Sequence, residues 1–187
     1  MKIIVGKLKG KKLATLDGLD TRPTLNRIKE NIFNIMANYC DFDNKIVVDL
    51  FTGSGNLVIE SLSRGAKFAY ANDINIAACK IIKQNLLACN LQNDSKLTNL
   101  DYQTFSKTLN SKCDILLIDP PFANTSCQQW ILNYFVNNDL LNDNAIIMLE
   151  TNVPLDNLQL NFQFKVLSNK KYGKIYIKII QFCENRK

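Results

Sequence analysis

The chain has 187 residues, a net charge of +6 and no histidine. The length is that of one domain, and its longest apolar runs are far shorter than the ~20 residues of a membrane-spanning helix. Without histidine, Ser-His-Asp triads, Cys-His nucleophiles, HExxH metalloproteases and zinc deaminases are excluded. If the protein is an enzyme, carboxylates, amides, backbone groups or a cofactor carry its chemistry.

The six cysteines give no sign of a metal site. No Cys-x-x-Cys pair occurs, so no structural zinc is predicted and we expect no metal in the protein. The basic start, residues 1–12, lacks the apolar core of a secretory signal. We therefore expect free thiols in the cytoplasm, used mainly as small apolar side chains, and no membrane association.

Charge is concentrated at the two ends of the chain. Residues 1–29 carry a net +6, residues 30–164 a net −6 and residues 165–187 a net +6. Near the start, lysines alternate with apolar residues, which predicts a half-buried β-hairpin turning at Lys9-Gly10. Its charged face comprises Lys2, Lys7, Lys9, Lys11 and Lys12. Such a face attracts phosphates, but lysines also protect sheet edges, and both interpretations stay open.

A helix and then an alternation of strands and helices follow the hairpin. The first helix is predicted over Leu25–Tyr39, with Thr24 as a candidate N-cap and Arg27 and Glu30 one turn apart. The predicted strands are Lys45–Phe51, Phe68–Asp73, Lys96–Leu100, Asp114–Asp119, Ala145–Glu150, Gln163–Leu167 and Ile175–Phe182. The predicted helices between the first five are Gly55–Arg64, Asn75–Ala88, Tyr102–Leu109 and Ser126–Asn137.

This order predicts an α/β fold with a doubly wound, mostly parallel seven-stranded sheet of the Rossmann-like type. After Glu150 the helices stop and the last two strands follow each other closely. A final hairpin would therefore add an antiparallel strand. We expect a single domain over 1–187, in which a basic hairpin extension, 1–23, precedes a core, 24–187.

The first chemical motif follows the first strand. Residues 49–55, Asp-Leu-Phe-Thr-Gly-Ser-Gly, run from a buried strand through a glycine loop into a helix. Glycines let the backbone turn sharply and approach a ligand closely. Val58 replaces the third glycine of a dinucleotide motif, and Asp49 would suit an ammonium group better than a pyrophosphate. The loop favours S-adenosylmethionine over a dinucleotide, with a purely structural turn as the alternative.

Two further carboxylates follow strands. Asp73 lies 18 residues beyond Gly55 at the end of the second strand, where a carboxylate can accept hydrogen bonds from both hydroxyls of a ribose. Asp101 follows the third strand. It could accept from an adenine amine or cap the next helix, and the sequence does not decide between them.

The second chemical motif ends the fourth strand. Asp119-Pro120-Pro121-Phe122 places two prolines after a buried run, which ends the regular structure and fixes the backbone. The carboxylate of Asp119 and the carbonyl of Pro120 are two acceptors that can converge on one exocyclic amine. Phe122 offers a flat apolar face on which a base could stack.

Together these motifs resemble the amino-methyltransferases that use S-adenosylmethionine and, more specifically, the RsmD family. The resemblance covers nearly the whole chain: residues 4–13, Arg-Pro-Thr-x-x-Arg at 22–27, the glycine loop, Glu60, Leu-Ser-Arg-Gly-Ala at 62–66, Asp-Pro-Pro-Phe at 119–122 and Tyr172-Gly173 in the tail. It implies methylation of the exocyclic N2 of one guanine in bacterial 16S ribosomal RNA, within the small subunit or an assembly intermediate. We expect a monomer.

The resemblance also assigns roles to residues. The implied cofactor site comprises Asp49, Phe51, Thr52, Gly53, Ser54, Gly55, Asp73, Ile74, Asp101, Tyr102 and Asp119. The implied site for the target amine and base comprises Asp119, Pro120, Pro121 and Phe122. RNA contacts are expected from Lys7, Lys9, Lys11, Lys12, Arg22, Thr24, Arg27, Lys170, Lys171 and Lys174. For Arg22, Thr24 and Arg27, a capped and salt-bridged helix start is the alternative.

Some positions differ from the family pattern, and other functions stay open. Asp73 stands where glutamate is common, Asn75 where an acid is common, and Asn56 and Val58 replace smaller residues. A DNA adenine or cytosine amino-methyltransferase can share the Asp-Pro-Pro-aromatic motif, although this chain has little room for a target-recognition domain. A protein glutamine methyltransferase typically carries Asn-Pro-Pro-Tyr. A non-catalytic RNA-binding assembly factor could keep the fold.

Overall fold

The computed structural model describes residues 1–15, 23–121, 126–156 and 158–184, with the backbone alone for 23–26. The helices are α1 (Pro23–Ala37), α2 (Asn56–Ser63), α3 (Ile76–Ala88), α4 (Tyr102–Thr108) and α5 (Ser126–Asn137). The strands are β1 (Ile46–Asp49), β2 (Phe68–Asn72), β3 (Ser95–Thr98), β4 (Cys113–Ile118), β5 (Leu141–Thr151), β6 (Phe164–Tyr172) and β7 (Ile175–Phe182).

The seven strands form one sheet in the order β3-β2-β1-β4-β5-β7-β6. Strands β1 to β5 run parallel, and β7 lies antiparallel between β5 and β6. The predicted doubly wound sheet with a final antiparallel hairpin is confirmed. The continuous apolar runs of the central strands are explained by helices on both faces of the sheet.

Successive strand residues face two separate cores. On one face, Val47, Leu117 and Met148 pack with apolar side chains of α1, α2 and α3. On the other, Leu116 and Ile147 pack with side chains of α4 and α5. Because the chain order reverses between β1 and β4, the carboxyl ends of these two strands border a crevice, which is where open α/β sheets bind ligands.

Helix α1 begins at Pro23 and not at Leu25, so Thr24 lies inside the first turn and is not the N-cap. Proline is favoured in a first turn because its φ is already helical and its missing N–H would have no partner there. Arg27 and Glu30 are both exposed, and no ion pair joins these two described side chains. The first residues of α1 lie toward the carboxyl edge of the sheet, because its last residues lead into the start of β1.

Two strands are longer than expected. Strand β5 begins at Leu141 instead of Ala145, and β6 continues to Tyr172 instead of ending at Leu167. The polar residues 168–171 pair with β7 and sit on an outer strand, where alternation with apolar residues is not required. Gly173, at φ 61°, closes the turn between the two strands.

The N-terminal hairpin turns more widely than the sequence indicated. Lys2 and Lys12 form one antiparallel bridge, and the turn occupies residues 5–10, not Lys9-Gly10 alone. A glycine stands near each end of this turn, with φ 88° at Gly6 and 89° at Gly10. A Cβ at Gly6 would lie 1.8 Å from the backbone oxygen of Ser63, so glycine is what lets the hairpin lie directly on α2.

A buried ionic network attaches this hairpin to α1 and α2. The carboxylate of Glu60, 0% exposed, accepts hydrogen bonds from the backbone N–H groups of Ile4 and Val5 at 2.9 and 3.1 Å. Lys29 Nζ lies 3.1 Å from one of its oxygens and Arg64 Nε 3.0 Å from the other. Burial lowers the pKa of Lys29, while Glu60 opposes the shift. The extension is therefore packed on the core and not merely linked to it.

Candidate functional site

A cleft of about 650 Å³ opens at the carboxyl edge of the sheet. Of the residues assigned to the cofactor or the target amine, those that line it are Phe51, Gly53, Asp73, Ile74, Asp101, Tyr102, Asp119 and Pro121. Asp49, Thr52, Ser54, Gly55 and Pro120 are not among the residues that line it. Phe122, Arg22 and the side chain of Thr24 lie outside the described residues. Cleft residues that had been assigned no role in either site are Leu50, Asn72, Asn75, Ala78 and Leu100.

The two glycines of the loop have different surroundings. Both adopt positive φ, 57° at Gly53 and 82° at Gly55. A Cβ at Gly55 would lie 2.6 Å from Ile82 of α3, whereas a Cβ at Gly53 would meet no protein atom within 4 Å. Gly55 therefore allows α2 to pack against α3, and Gly53 leaves open space in the cleft.

Hydrogen bonds from neighbouring elements fix the shape of the loop. Thr52 Oγ1 donates to the backbone carbonyl oxygen of Asp49 at 3.2 Å and accepts from the backbone N–H of Asn72 at 3.1 Å. Asn85 of α3 donates to the oxygen of Ser54 at 2.9 Å. Thr52 and Ser54 thus position the loop. No local pattern reveals Asn72 or Asn85, because their partners are distant in sequence.

Asp73 follows β2 and is directed at the loop. One carboxylate oxygen accepts from the backbone N–H of Gly53 at 2.8 Å, and the other accepts from that of Asn75 at 2.8 Å. Each oxygen keeps a second lone pair for a ligand hydroxyl. Asn75, which differs from the family pattern, caps α3 by accepting from the Ala77 N–H at 2.8 Å.

Asp101 both caps a helix and lines the cleft. Its Oδ1 accepts from the backbone N–H groups of Gln103 and Thr104 at 3.0 and 2.9 Å. Hydrogen bonds from the side chain and then the backbone N–H of Thr104 lower the pKa of the carboxyl group, and the bond from the Gln103 N–H adds to this shift. Its second oxygen is used in neither cap bond. Both interpretations of Asp101 are thus compatible with one another.

Asp49 ends β1 with an unsatisfied buried acceptor. Its side chain is 1% exposed, Oδ1 accepts from the Phe51 N–H at 3.1 Å, and Oδ2 has no hydrogen-bond partner in the part of the chain that the structure describes. Burial raises the pKa of this carboxyl group well above its usual range, against the Phe51 hydrogen bond, and the charges of Asp119 and Asp73 raise it further. An orphaned acceptor behind the cleft suits a ligand that brings a cationic group.

Two more carboxylates stand side by side at the next strand ends. Ile118 of β4 and Leu149 of β5 pair in parallel register, so Asp119 and Glu150 are the next residues along the two neighbouring strands. Burial raises the pKa of both carboxyl groups, and the Asp119 charge raises that of Glu150 further. Glu150 was not predicted as a site residue from the sequence.

Asp119 is half-buried, Pro120 is buried and Pro121 is exposed at the rim of the cleft. Pro121 has no N–H and cannot continue the β4 ladder, so the chain leaves the sheet beside the Asp119 carboxylate. In the described part of the chain, no group of three or more His, Cys, Asp or Glu side chains could hold a metal ion, and no helix is long and apolar enough to cross a membrane.

The basic residues expected to meet RNA fall into two separate regions. Lys170, Lys171 and Lys174 lie where β6 turns into β7, next to the end of β5 and hence at the carboxyl edge. The tip of the N-terminal hairpin lies toward the opposite edge: Lys7 is 3.8 Å from Asp94, just before β3, and Lys11 donates to the oxygen of Ala88 at the end of α3. Lys9, Lys12 and Arg27 are exposed.

Comparison with known proteins extends these observations. The family described as conserved hypothetical protein 95 matches residues 1–181. The ribosomal RNA small subunit methyltransferase D of Buchnera aphidicola subsp. Acyrthosiphon pisum is 32% identical over 148 residues, which are 79% of this chain and 76% of that protein. The protein of the same name from Escherichia coli is 31% identical over 153 residues, 82% of this chain and 75% of its own.

The fold agrees with a solved structure over its whole length. The Escherichia coli protein yhhF has a TM-score of 0.85 to this chain, covers 99% of both chains and is 24% identical. The structural likeness shows the fold of the chain, and the sequence matches show the family to which it belongs. With the glycine loop, Asp73 and the Asp-Pro-Pro turn around one cleft, the chain belongs to the RsmD family of methyltransferases.

Proposed function

We propose that the protein transfers a methyl group from S-adenosylmethionine to the exocyclic N2 of a guanine in bacterial 16S ribosomal RNA, in the small subunit and in the cytoplasm. The observation that carries this proposal is the position of Asp119. It lies at the rim of a switch-point cleft, directly before two prolines and across from the glycine loop. A carboxylate there faces both a bound cofactor and an incoming amine.

The residues around the cleft suit the cofactor. Asp49, with its orphaned buried oxygen, suits the ammonium group of the methionine part. Asp73 would accept from the ribose hydroxyls, and the second oxygen of Asp101 from the adenine amine. Phe51, Ile74 and Tyr102 add apolar surface, on which an adenine ring would pack. When bound, the cofactor supplies an electrophilic methyl group on a sulfonium.

The chain's own part in the reaction is positioning and charge. A guanine amine is a weak nucleophile because its lone pair is delocalised into the ring. Asp119 and the Pro120 carbonyl would hold its two hydrogens and direct the lone pair at the methyl group. Holding two reactants in line lowers the barrier by about 7–11 kcal/mol in favourable cases. The Asp119 carboxylate also stabilises the positive charge that develops on the amine. Phe122 stays a predicted stacking residue.

The proposal that the substrate is ribosomal RNA rests on the names of similar proteins and on the distribution of positive charge on the surface. Two relatives that are more than 30% identical carry ribosomal RNA small subunit in their names. At the carboxyl edge, the cleft is accompanied by exposed Lys170, Lys171 and Lys174. The first turns of α1, with Arg27, lie toward the same edge. A folded RNA could contact these groups while one base enters the cleft.

The test is transfer of labelled methyl to small ribosomal subunits that lack native methylation, followed by identification of the modified nucleoside by mass spectrometry. Naked ribosomal RNA and DNA are run beside the subunits. We expect N2-methylguanosine on the subunits. Another methylated nucleoside, or methyl on DNA or protein only, would replace this proposal with one of its rivals.

The matching variant is Asp119→Ala. It should lower the transfer rate by more than about 100-fold while cofactor binding is retained, because the lost carboxylate acts mainly on the amine. Asp143→Ala is the control, since Asp143 is an exposed carboxylate at the start of β5, on the opposite edge of the sheet. Normal turnover by Asp119→Ala would remove the catalytic assignment.

A further inference from the structure

Glu150 is a second carboxylate at the strand end beside Asp119; it is not among the residues that line the cleft, and the reaction described above does not use it. It follows Leu149 on β5 as Asp119 follows Ile118 on β4, and those two apolar residues pair in register. Side chains two residues apart on a strand point to the same face. Leu117 and Met148 face the core under α1, so Asp119 and Glu150 are directed to that same face.

The surroundings of Glu150 leave its carboxylate available. It is half-buried, and its side chain has no hydrogen bond or ion pair with any of the described residues. Its backbone oxygen accepts from Gln128 of α5 at 3.0 Å, which fixes the strand end. On β7 its partner is Ile177, and the adjacent Lys178 donates at 2.8 Å to the Leu155 oxygen. Asp119 is the charged group among the described residues that acts on it.

Two half-buried carboxylates that lie side by side do not both ionise easily, and the pair holds a proton at neutral pH. Burial raises the pKa of each group in this pair, and the charge of Asp119 raises the pKa of Glu150 further. Asp119 has to be ionised to stabilise a positive amine. The shared proton therefore belongs on Glu150 when the enzyme is active.

The edge of guanine presents an acceptor, O6, a donor, N1–H, and the donor amine, N2, in a row. A protonated carboxyl group offers the complement of the first two: its O–H donates to O6 and its carbonyl oxygen accepts from N1–H. Resting on the function proposed above, we propose that Glu150 in its protonated form selects guanine by pairing with O6 and N1–H, while the neighbouring Asp119 accepts from the N2 amine.

Replacement by glutamine and by alanine tests this pairing. A glutamine amide presents the same donor and acceptor as the protonated carboxyl group, so Glu150→Gln should lower the transfer rate by less than about fivefold. Glu150→Ala should lower it by about 100-fold, because two hydrogen bonds to the base are lost. Equal losses in both variants, or none in Glu150→Ala, would overturn the proposal. Glu184→Gln, an exposed carboxylate near Asp143 on the opposite edge, is the control.

Base selection gives a readout that a structural role would not change. 2-Aminopurine keeps the exocyclic amine but has neither O6 nor N1–H. On small subunits reconstituted with 2-aminopurine at the methylated position, the wild-type protein should prefer guanine by about 100-fold or more. In Glu150→Ala this preference should shrink at least about tenfold. An undiminished preference would show that Glu150 does not read the base.

The pH profile gives a second independent readout. As pH rises through the raised pKa of the pair, Glu150 loses its proton and the wild-type rate should fall. Glu150→Gln cannot ionise, so this alkaline decline should be absent, and a decline retained at the same pH would contradict the proposal. N2-methylguanosine formation by the wild-type protein tests the proposed function first. If the wild-type protein forms N2-methylguanosine but the Glu150 variants do not behave as expected, the proposed role of Glu150 is wrong while the proposed function stands.

Discussion

Asn85 of α3 and Ala14, where the chain leaves the N-terminal hairpin, exchange two hydrogen bonds. The backbone N–H of Ala14 donates to Asn85 Oδ1 at 2.8 Å, and Asn85 Nδ2 donates to the Ala14 oxygen at 2.9 Å. The same amide also donates to the Ser54 oxygen in the glycine loop. One buried side chain thus joins the basic extension to the loop that shapes the cofactor cleft.

Replacing this amide should affect both stability and the cleft. In Asn85→Ala the Ala14 and Ser54 backbone groups lose buried partners, which should lower the free energy of unfolding by about 2–3 kcal/mol. Cofactor affinity should fall as well, since the loop loses a contact. Denaturant unfolding and calorimetric titration measure the two effects. Gln84→Ala, the exposed neighbour, is the control, and equal behaviour of both variants would mean that Asn85 carries no such link.

The loop glycines should separate stability from binding. Gly55→Ala places a Cβ against Ile82 at positive φ and should cost about 2–3 kcal/mol of stability. Gly53→Ala bears the backbone cost alone, about 1–2 kcal/mol, but its methyl group occupies the cleft. We expect the larger loss of cofactor affinity in Gly53→Ala. The reverse order, measured by the same two methods, would mean that the ligand does not approach Gly53.

Asp49 should link stability to pH. Its raised pKa means that the folded protein binds a proton more tightly than the unfolded chain does. Stability contributed by this proton is present at low pH and is lost as pH rises from about 4 toward the raised value. Asp49→Asn should therefore be more stable than wild type at pH 7, with the difference shrinking near pH 4. Thermal unfolding at both pH values measures it, with Asp143→Asn as control.

The same substitution should impair function. The neutral amide that Asp49→Asn introduces would no longer attract an ammonium group, so cofactor affinity should fall while stability at neutral pH rises. A gain in one property with a loss in the other is the usual cost of a site kept for binding. Unchanged affinity in Asp49→Asn would remove Asp49 from the cofactor site.

Replacement of Asp73 should lower the affinity for the cofactor more than it lowers the stability of the fold. Asp73→Ala removes a carboxylate that lines the cleft and accepts from the Gly53 N–H. We expect affinity for S-adenosylmethionine to fall about tenfold or more, since two ribose hydrogen bonds are lost. Calorimetric titration with the cofactor and with adenine alone separates the ribose contribution. If both ligands weaken equally, the ribose role is wrong.

Glu60 should be essential for the attachment of the extension. In Glu60→Gln, Lys29 and Arg64 lose their shared anion, and Lys29 is only 3% exposed. Breaking a buried ion pair in this way costs about 3–5 kcal/mol. Glu30→Gln changes an exposed glutamate of α1 and should cost little. Hydrogen exchange at residues 1–15 should rise in Glu60→Gln alone.

Local patterns were sufficient for the order of the elements and for most of the cleft. Buried parallel strands are continuous apolar runs, and glycines and prolines mark the points where such runs end. For that reason Gly53, Asp73 and Asp119 could be identified without any contact being known. The ends of elements were less accurate: the polar end of β6 has no apolar pattern because its pairing with β7 is what makes it a strand.

The sequence by itself determined the fold class, the family and the carboxylates at the ends of β1, β2 and β4, because each depends on residues adjacent in the chain. The tertiary structure alone decided which distant side chains meet. It brought Asn85 to the glycine loop, Glu150 beside Asp119, and the tip of the basic hairpin to the edge opposite the cleft. These contacts between distant residues depend on strand register and on how the helices pack against the sheet. Both are determined by packing over the whole sheet and not by any local run of residues.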